Sequence, residues 1–215
     1  DAGPPPAHGS GAHMLAPLGV FRRSGRAWAL TLFYFLSFGG FVAMFLYLPK
    51  LLTGVHDLTK TDAGARAAGF ALLAVLARPT GGWLADRLSA ARVLRLSFAA
   101  TAVLAVLLSF SYRSMVPLTI ECLTIAVAFG LGTGAVFKLV AEWFPSEVGA
   151  VTGVVGAAGG LGGFFPPLVM GIVKSATGGY GLGFILLAAI AAGALAVLAR
   201  LGPPAPRAAP AAAPG

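Results

Sequence analysis

Six apolar runs, each long enough to cross a lipid bilayer, decide what this chain can fold into. They lie near Trp28–Leu48, Ala65–Ala85, Val93–Phe110, Val116–Val140, Val148–Val173 and Tyr180–Ala199, and a spanning helix needs about 17 to 25 such residues. Lipid offers no partner to a bare peptide group, so each run must satisfy its own backbone as a helix. The bias holds over nearly the whole chain. Of its 215 residues 58% are hydrophobic and 10% charged, more apolar surface than a soluble domain can hide. The expected fold is an all-α membrane protein with six transmembrane helices over 28–200. A flexible linker rich in Gly, Pro and Ala is expected over 1–27, and a disordered Pro/Ala-rich tail over 201–215.

A formal net charge of +8 would suggest nucleic acid for a soluble protein. Here the basic residues punctuate the ends of the spans, so the partner they imply is the bilayer and no nucleic acid is expected. Arg22, Arg23, Arg26, Arg87, Arg92, Arg95, Arg200 and Arg207 collect on one side, against Lys50, Lys60, Arg66, Arg113 and Lys174 on the other. The richer side is read as cytoplasmic, with both termini on it, in a multi-pass protein of the cell inner (plasma) membrane. Cys122 is the single cysteine, and His8, His13 and His56 are scattered outside the spans. Neither a metal site nor a cofactor site is expected from them.

Between Ser146 and Pro167 the sequence reads SEVGAVTGVVGAAGGLGGFFPP, with Ser146 placed as the N-cap of the helix that follows. Each glycine costs an ordinary helix roughly 1 kcal/mol against alanine. At about 100° per residue, Gly149, Gly153, Gly156, Gly160 and Gly163 fall within about 80° of one another, a bare stripe against which another backbone can lie. A second small-residue face, Gly130–Gly134, occupies the fourth run.

Two features of the first two spans carry chemistry. Tyr34, Phe38, Phe41 and Phe45 recur at i, i+4, i+7 and i+11, which stacks four rings on one helical face above a bend expected at Gly39 and Gly40. The first span is expected to stop at Pro49. In the second, Arg78 precedes Asp86 by eight residues, which at about 1.5 Å per residue puts it on the order of 12 Å into the membrane. An arginine there costs at least about 2.5 to 3.5 kcal/mol, and no acid is placed at similar depth to pair with it. It is read as facing a watery cavity or an anion. Pro79, Gly81 and Gly82 follow at once, either as in the discontinuous helices of carriers or as a kink for packing, and Pro166 and Pro167 are expected to kink the fifth span. Lys138 is read as snorkelling to the cytoplasmic surface. Glu121 is placed near the opposite surface, outside any central proton relay, so that no acid is expected in the interior.

The run from Gly153 to Pro167, GVVGAAGGLGGFFPP, closely resembles the glycine-rich signature in the eleventh helix of the nitrate/nitrite porter family of major facilitator transporters. GTGAVFKLVAEWFP (132–145) is similar to that family's tenth helix, ARPTGGWLADR (77–87) to its eighth, and LFYFLSFGGF (32–41) to its seventh. The resemblance implies the second of two six-helix halves, moving nitrate and nitrite by exchange or proton-coupled alternating access, with the N-terminal half as partner. It implies that Arg78 and Tyr34 bind the anion and that Gly153, Gly156, Gly159, Gly160 and Gly163 are signature glycines. Phe38, Thr133 and Lys138 are further candidates, Thr133 standing where the family pattern carries an asparagine. A guanidinium fork beside an aromatic wall suits a flat monoanion.

Other readings keep the fold and change the role: a major facilitator carrier of another small anion, or a non-transporting membrane fragment. An anion channel would favour a ring of repeated polar residues, where here one arginine stands alone. An intramembrane enzyme would need a nucleophile or an acid and base pair at depth, and none is present, so no enzymatic activity is expected.

Overall fold

A computed structural model of the chain describes residues 19–201, and most of the linker expected over 1–27 and of the tail expected over 201–215 lies outside them. The described residues form six long helices: α1 (Gly25–Val55), α2 (Lys60–Leu88), α3 (Ala90–Ser111), α4 (Met115–Trp143), α5 (Val148–Thr177) and α6 (Gly181–Leu201), all long and apolar enough to cross a membrane. The first five contain their expected apolar runs, and α6 begins one residue after the expected Tyr180. Short connections make neighbours antiparallel, the shortest being the single residue Ser89 (φ 96°) between α2 and α3. A helical turn at 19–23 precedes α1, and Phe21 is buried there edge-on to Trp28 at 5.6 Å. Trp28 also donates its indole N–H to the Phe21 carbonyl at 2.9 Å.

Pro49, Pro79, Pro166 and Pro167 do not end their helices. α1 runs six residues beyond Pro49 to Val55, α2 passes through Pro79 and α5 passes through Pro166 and Pro167. The expected stop at Pro49 is therefore corrected, and of the two readings at Pro79 the discontinuous helix is ruled out, since α2 is continuous there. A proline removes one hydrogen bond from a helix of this length, and packed neighbours hold the remaining turns in place. The irregularity of α1 lies instead at Phe35–Gly39, a π-helical turn just before Gly40. Such a turn inserts a residue, widens the helix and resets which side chains face inward.

α4 is the central helix, with Ile125, Ala126, Phe129, Ala135, Val136, Leu139 and Val140 all buried. It meets α2 backbone to backbone. A β-carbon on Gly130 or Gly134 would run into the carbonyl oxygens of Ala74 or Arg78, and one on Gly81 would meet the Leu131 backbone. Small residues of this kind let two membrane helices approach along dispersion contacts that larger side chains would hold apart. The Arg78 carbonyl thus lies directly against Gly134 of α4.

Helix ends follow local chemistry. Thr59 caps α2 by accepting the Asp62 N–H at 3.1 Å while donating to the Asp62 carboxylate at 2.7 Å, close to the reciprocal box that favours a helix start. Ser146 does not cap α5; Glu147 is the N-cap residue and Ser146 Oγ donates to its carboxylate at 2.8 Å. α5 closes on Gly178 in the left-handed conformation (φ 72°).

Candidate functional site

The aromatic stripe forms as its spacing predicts. Tyr34 stacks on Phe38 at 5.4 Å, Phe38 meets Phe41 at 6.0 Å, and Phe41 lies between Phe45 at 6.4 Å and Phe70 of α2 at 6.1 Å. Arg78 lies across this stripe, its guanidinium carbon 5.2 Å from the centre of Phe38 and 5.2 Å from that of Phe41. Two residues far apart in sequence, the costly cation of α2 and the rings of α1, thereby make one feature.

The rings stabilise the charge without completing its bonding. Each desolvated cation–π contact contributes about 2 kcal/mol, enough for two rings to offset most of what an arginine costs inside a membrane. A guanidinium nevertheless carries five N–H donors in a planar fork, and aromatic faces satisfy them poorly. The Nε of Arg78 is buried with no hydrogen-bond partner. Lys138 pairs with Asp86, and no ion pair to Arg78 is seen among the described residues. An acceptor with in-plane oxygens is what this group lacks.

Tyr34 closes one end of the stripe. It is buried, edge-on to Phe137 of α4 at 4.8 Å, and its ring lies against Gly159 of α5, where a β-carbon would collide with it. Phe137 had no signal in the sequence beyond its place one residue before Lys138. The other two candidates are engaged elsewhere. Thr133 is buried and donates its hydroxyl to the Phe129 carbonyl at 2.8 Å, one turn back on its own helix. Lys138 holds Asp86 where both side chains are well exposed, at the same end of the bundle as Trp28, Trp83 and Trp143, consistent with snorkelling to an interface. An exposed pair of this kind contributes no more than about 1 kcal/mol. Lys138→Met is accordingly expected to lower the thermal midpoint of the purified protein by only a few degrees.

The glycine helix divides into two faces. Gly162 lies on Gly39, each so close that a β-carbon on Gly39 would come within 2.5 Å of the Gly162 Cα, and Gly159 makes room for Tyr34. Gly163 abuts Val42, whereas Gly149, Gly153, Gly156 and Gly160 have nothing within 4 Å of where a side chain would begin. The close approach within this chain therefore uses Gly159 and Gly162, not the stripe expected from the helical wheel. Most of that stripe is an open surface. The wide π turn of α1 is what brings Phe35 and Gly39 onto Gly162, and nothing local in the sequence specifies it.

Glu121 is buried, although the interior was expected to hold none, and accepts a hydrogen bond from Ser111 Oγ at 2.5 Å. It lies toward the end of the bundle opposite Asp86, as its place two turns into α4 requires.

Six apolar helices with an unpaired arginine laid over a ring stripe define a polytopic helical membrane protein with a built cationic site. The Major Facilitator Superfamily model matches residues 30–215. This chain belongs to the Major Facilitator Superfamily. It is 47% identical over 164 residues to the nitrite extrusion protein of Bacillus subtilis (strain 168), a match covering 76% of this chain and 41% of that protein. It is 48% identical over 166 residues to the probable nitrate/nitrite transporter NarK2 of Mycobacterium tuberculosis (strain ATCC 25618 / H37Rv), covering 76% and 42%. The probable nitrate transporter NarT of Staphylococcus haemolyticus (strain JCSC1435) is 46% identical over 159 residues, covering 74% and 41%. Each match thus spans less than half of the relative's length. Among solved structures, the outward conformation of the major facilitator transporter FucP superposes with a TM-score of 0.70 at 20% identity, over 91% of this chain and 46% of that one. At that identity the likeness is one of fold.

Proposed function

We propose that this chain is the C-terminal six-helix half of a carrier that moves nitrate and nitrite across the cytoplasmic membrane by alternating access. The observation that carries the reading is the guanidinium of Arg78, laid over Phe38 and Phe41 with a buried N–H that has no partner and no carboxylate to neutralise it. A flat monoanion fits what is missing: it supplies in-plane oxygens to the fork while its faces rest on rings. Arg78 and Tyr34 are the anion-binding residues, with Phe38 as the wall between them. The names borne by the relatives, nitrite extrusion protein and probable nitrate transporter, support the same substrates.

The open stripe of Gly149, Gly153, Gly156 and Gly160 is the surface on which a first, N-terminal six-helix half packs. Helix backbones associate in lipid where side chains are absent, and a midplane site between two bundles is how carriers of this kind alternate their access. The arginine excess at the ends carrying Arg22, Arg87 and Arg200 supports an orientation with both termini in the cytoplasm. Reconstitution tests the reading. Liposomes holding this chain together with a first half are expected to show saturable nitrate uptake, and liposomes holding this chain alone none. Saturable uptake by the chain alone would point to a homodimeric half-transporter instead.

A further inference from the structure

α4 touches both sides of the anion site within three residues. A β-carbon on Gly134 would meet the Arg78 carbonyl of α2, and one on Gly132 would come 2.9 Å from Ser37 Oγ of α1 and 2.7 Å from Ser97 Oγ of α3. At about 100° and 1.5 Å per residue, two glycines two positions apart face nearly opposite sides of α4 at almost one level. The Arg78 carbonyl and the Ser37 side chain thus rest on the backbone of the same helix. Ser37 directly precedes Phe38, whose ring centre is 5.2 Å from the guanidinium carbon of Arg78.

The seat of α1 leaves little slack. Ser37 is the middle residue of the π turn Phe35–Gly39, wholly buried, and its Oγ has no hydrogen-bond partner. A buried hydroxyl without a partner is destabilising, so packing and not a bond of its own holds Ser37 where it is. Ser97 is buried and donates to the Ala128 carbonyl at 2.6 Å, which ties it to α4 about one turn before Gly132. A β-carbon on Gly40 would come 2.7 Å from the edge of the Phe129 ring, and from the other side one on Gly162 of α5 would come 2.7 Å from the Phe35 carbonyl oxygen. The π turn is held between α4 and α5.

We propose that Gly132 is a positioning residue of the anion site: by letting Ser37 lie against α4, it sets the gap between the Phe38 ring and Arg78 and so the shape of anion accepted. This rests on the reading of Arg78 as the anion-binding group. A planar anion bonded to the guanidinium fork lies flat on the ring wall, whereas a tetrahedral one needs more room. Alanine at position 132 puts a methyl group where the two hydroxyls converge. Ser97 is tied to Ala128, so the displacement falls on Ser37 and carries Phe38 with it. The wall then withdraws from a flat anion and makes space for a thicker one.

The test is Gly132→Ala in the protein assembled with the first half. Nitrate affinity is expected to fall at least tenfold and that for perchlorate, a tetrahedral monoanion, less than threefold, a change of selectivity that loss of folded protein does not produce. Added to a chain already carrying Ser37→Ala and Ser97→Ala, Gly132→Ala is expected to cost threefold or less in nitrate affinity, because the oxygens it meets are gone. A second readout needs no ligand. With arginine labelled by ¹⁵N, the Arg78 Nε–H proton, identified by its loss in Arg78→Lys, is shifted by the ring currents of Phe38 and Phe41. Gly132→Ala is expected to reduce that shift, and the triple variant to restore it. An unchanged ratio of the two affinities, an undiminished cost without the serines, or an unmoved Arg78 proton overturns the proposal. If the parent protein binds no nitrate, the substrate reading fails by itself, and the proton shift alone decides whether Gly132 sets the spacing. Should Gly132→Ala fail to fold, Ser37→Thr adds bulk from the α1 side of the same contact and is expected to lower the nitrate-to-perchlorate ratio; an unchanged ratio there overturns the proposal.

Discussion

Replacing Arg78 by lysine is expected to weaken nitrate binding by roughly ten- to a hundredfold while the helices remain inserted and packed. Lysine keeps the positive charge and a place over the rings of Phe38 and Phe41, but it ends in a compact ammonium that cannot present two parallel N–H groups to one planar anion. The expected loss is that of one charge-assisted hydrogen bond, about 1.5 to 3 kcal/mol. Folding should tolerate the change because Arg78 reaches no carboxylate among the described residues, so its removal strands no opposite charge there. Nitrate titration of the variant, assembled with the other half and monitored for thermal stability, separates the two effects. Affinity equal to that of the parent removes Arg78 from the site.

Leucine substitutions along the glycine helix are expected to fall into two groups with opposite signatures. Gly162→Leu drives a β-carbon onto the Phe35 carbonyl at 2.7 Å and the Gly39 Cα at 2.9 Å, and Gly159→Leu drives one into the Tyr34 ring. Backbone cannot rotate aside as a flexible side chain does, so Gly162→Leu is expected to destabilise the bundle by about 3 kcal/mol or more. Gly156→Leu and Gly160→Leu meet nothing within 4 Å and gain helix propensity relative to glycine. They should leave this bundle as stable as before and abolish transport once the other half is present, because the added bulk sits on the surface where that half is proposed to pack. Thermal unfolding of the chain and uptake by the assembled protein, measured on all four variants, decide the matter. If Gly156→Leu and Gly160→Leu both transport at the parent rate, the open stripe faces lipid and the other half packs elsewhere.

The six spans and their order were determined by the sequence alone, because lipid leaves an apolar run of this length no alternative to a helix. The aromatic face of α1 was legible for the same kind of reason: helical spacing puts residues at i, i+4, i+7 and i+11 on one face, and the four rings still meet in series across the π turn. Arg78 stood out through its cost, since a charge at that depth demands an explanation from its position alone. The site around it was less legible. That the guanidinium lies over Phe38 and Phe41, that Tyr34 meets Phe137, and that Thr133 and Lys138 are engaged elsewhere all depend on the approach of α1, α2 and α4. Hydrophobic periodicity says that helices pack but not which residues of two bare helices touch.

The glycine helix shows the limit most clearly. A helical wheel ranks its glycines by angle, and on that measure Gly149, Gly153, Gly156, Gly160 and Gly163 form the obvious contact face. The tertiary structure instead puts Gly159 and Gly162 in contact, through a π turn at Phe35–Gly39 that shifts the register of α1. Such a turn costs hydrogen-bond geometry locally and is stabilised only by the packing it permits, so a reading confined to one helix at a time could not find it. Sequence therefore determined that six helices cross a membrane and that one of them carries an arginine wanting a partner; only the packing of those helices decided what stands beside it and which face is left open.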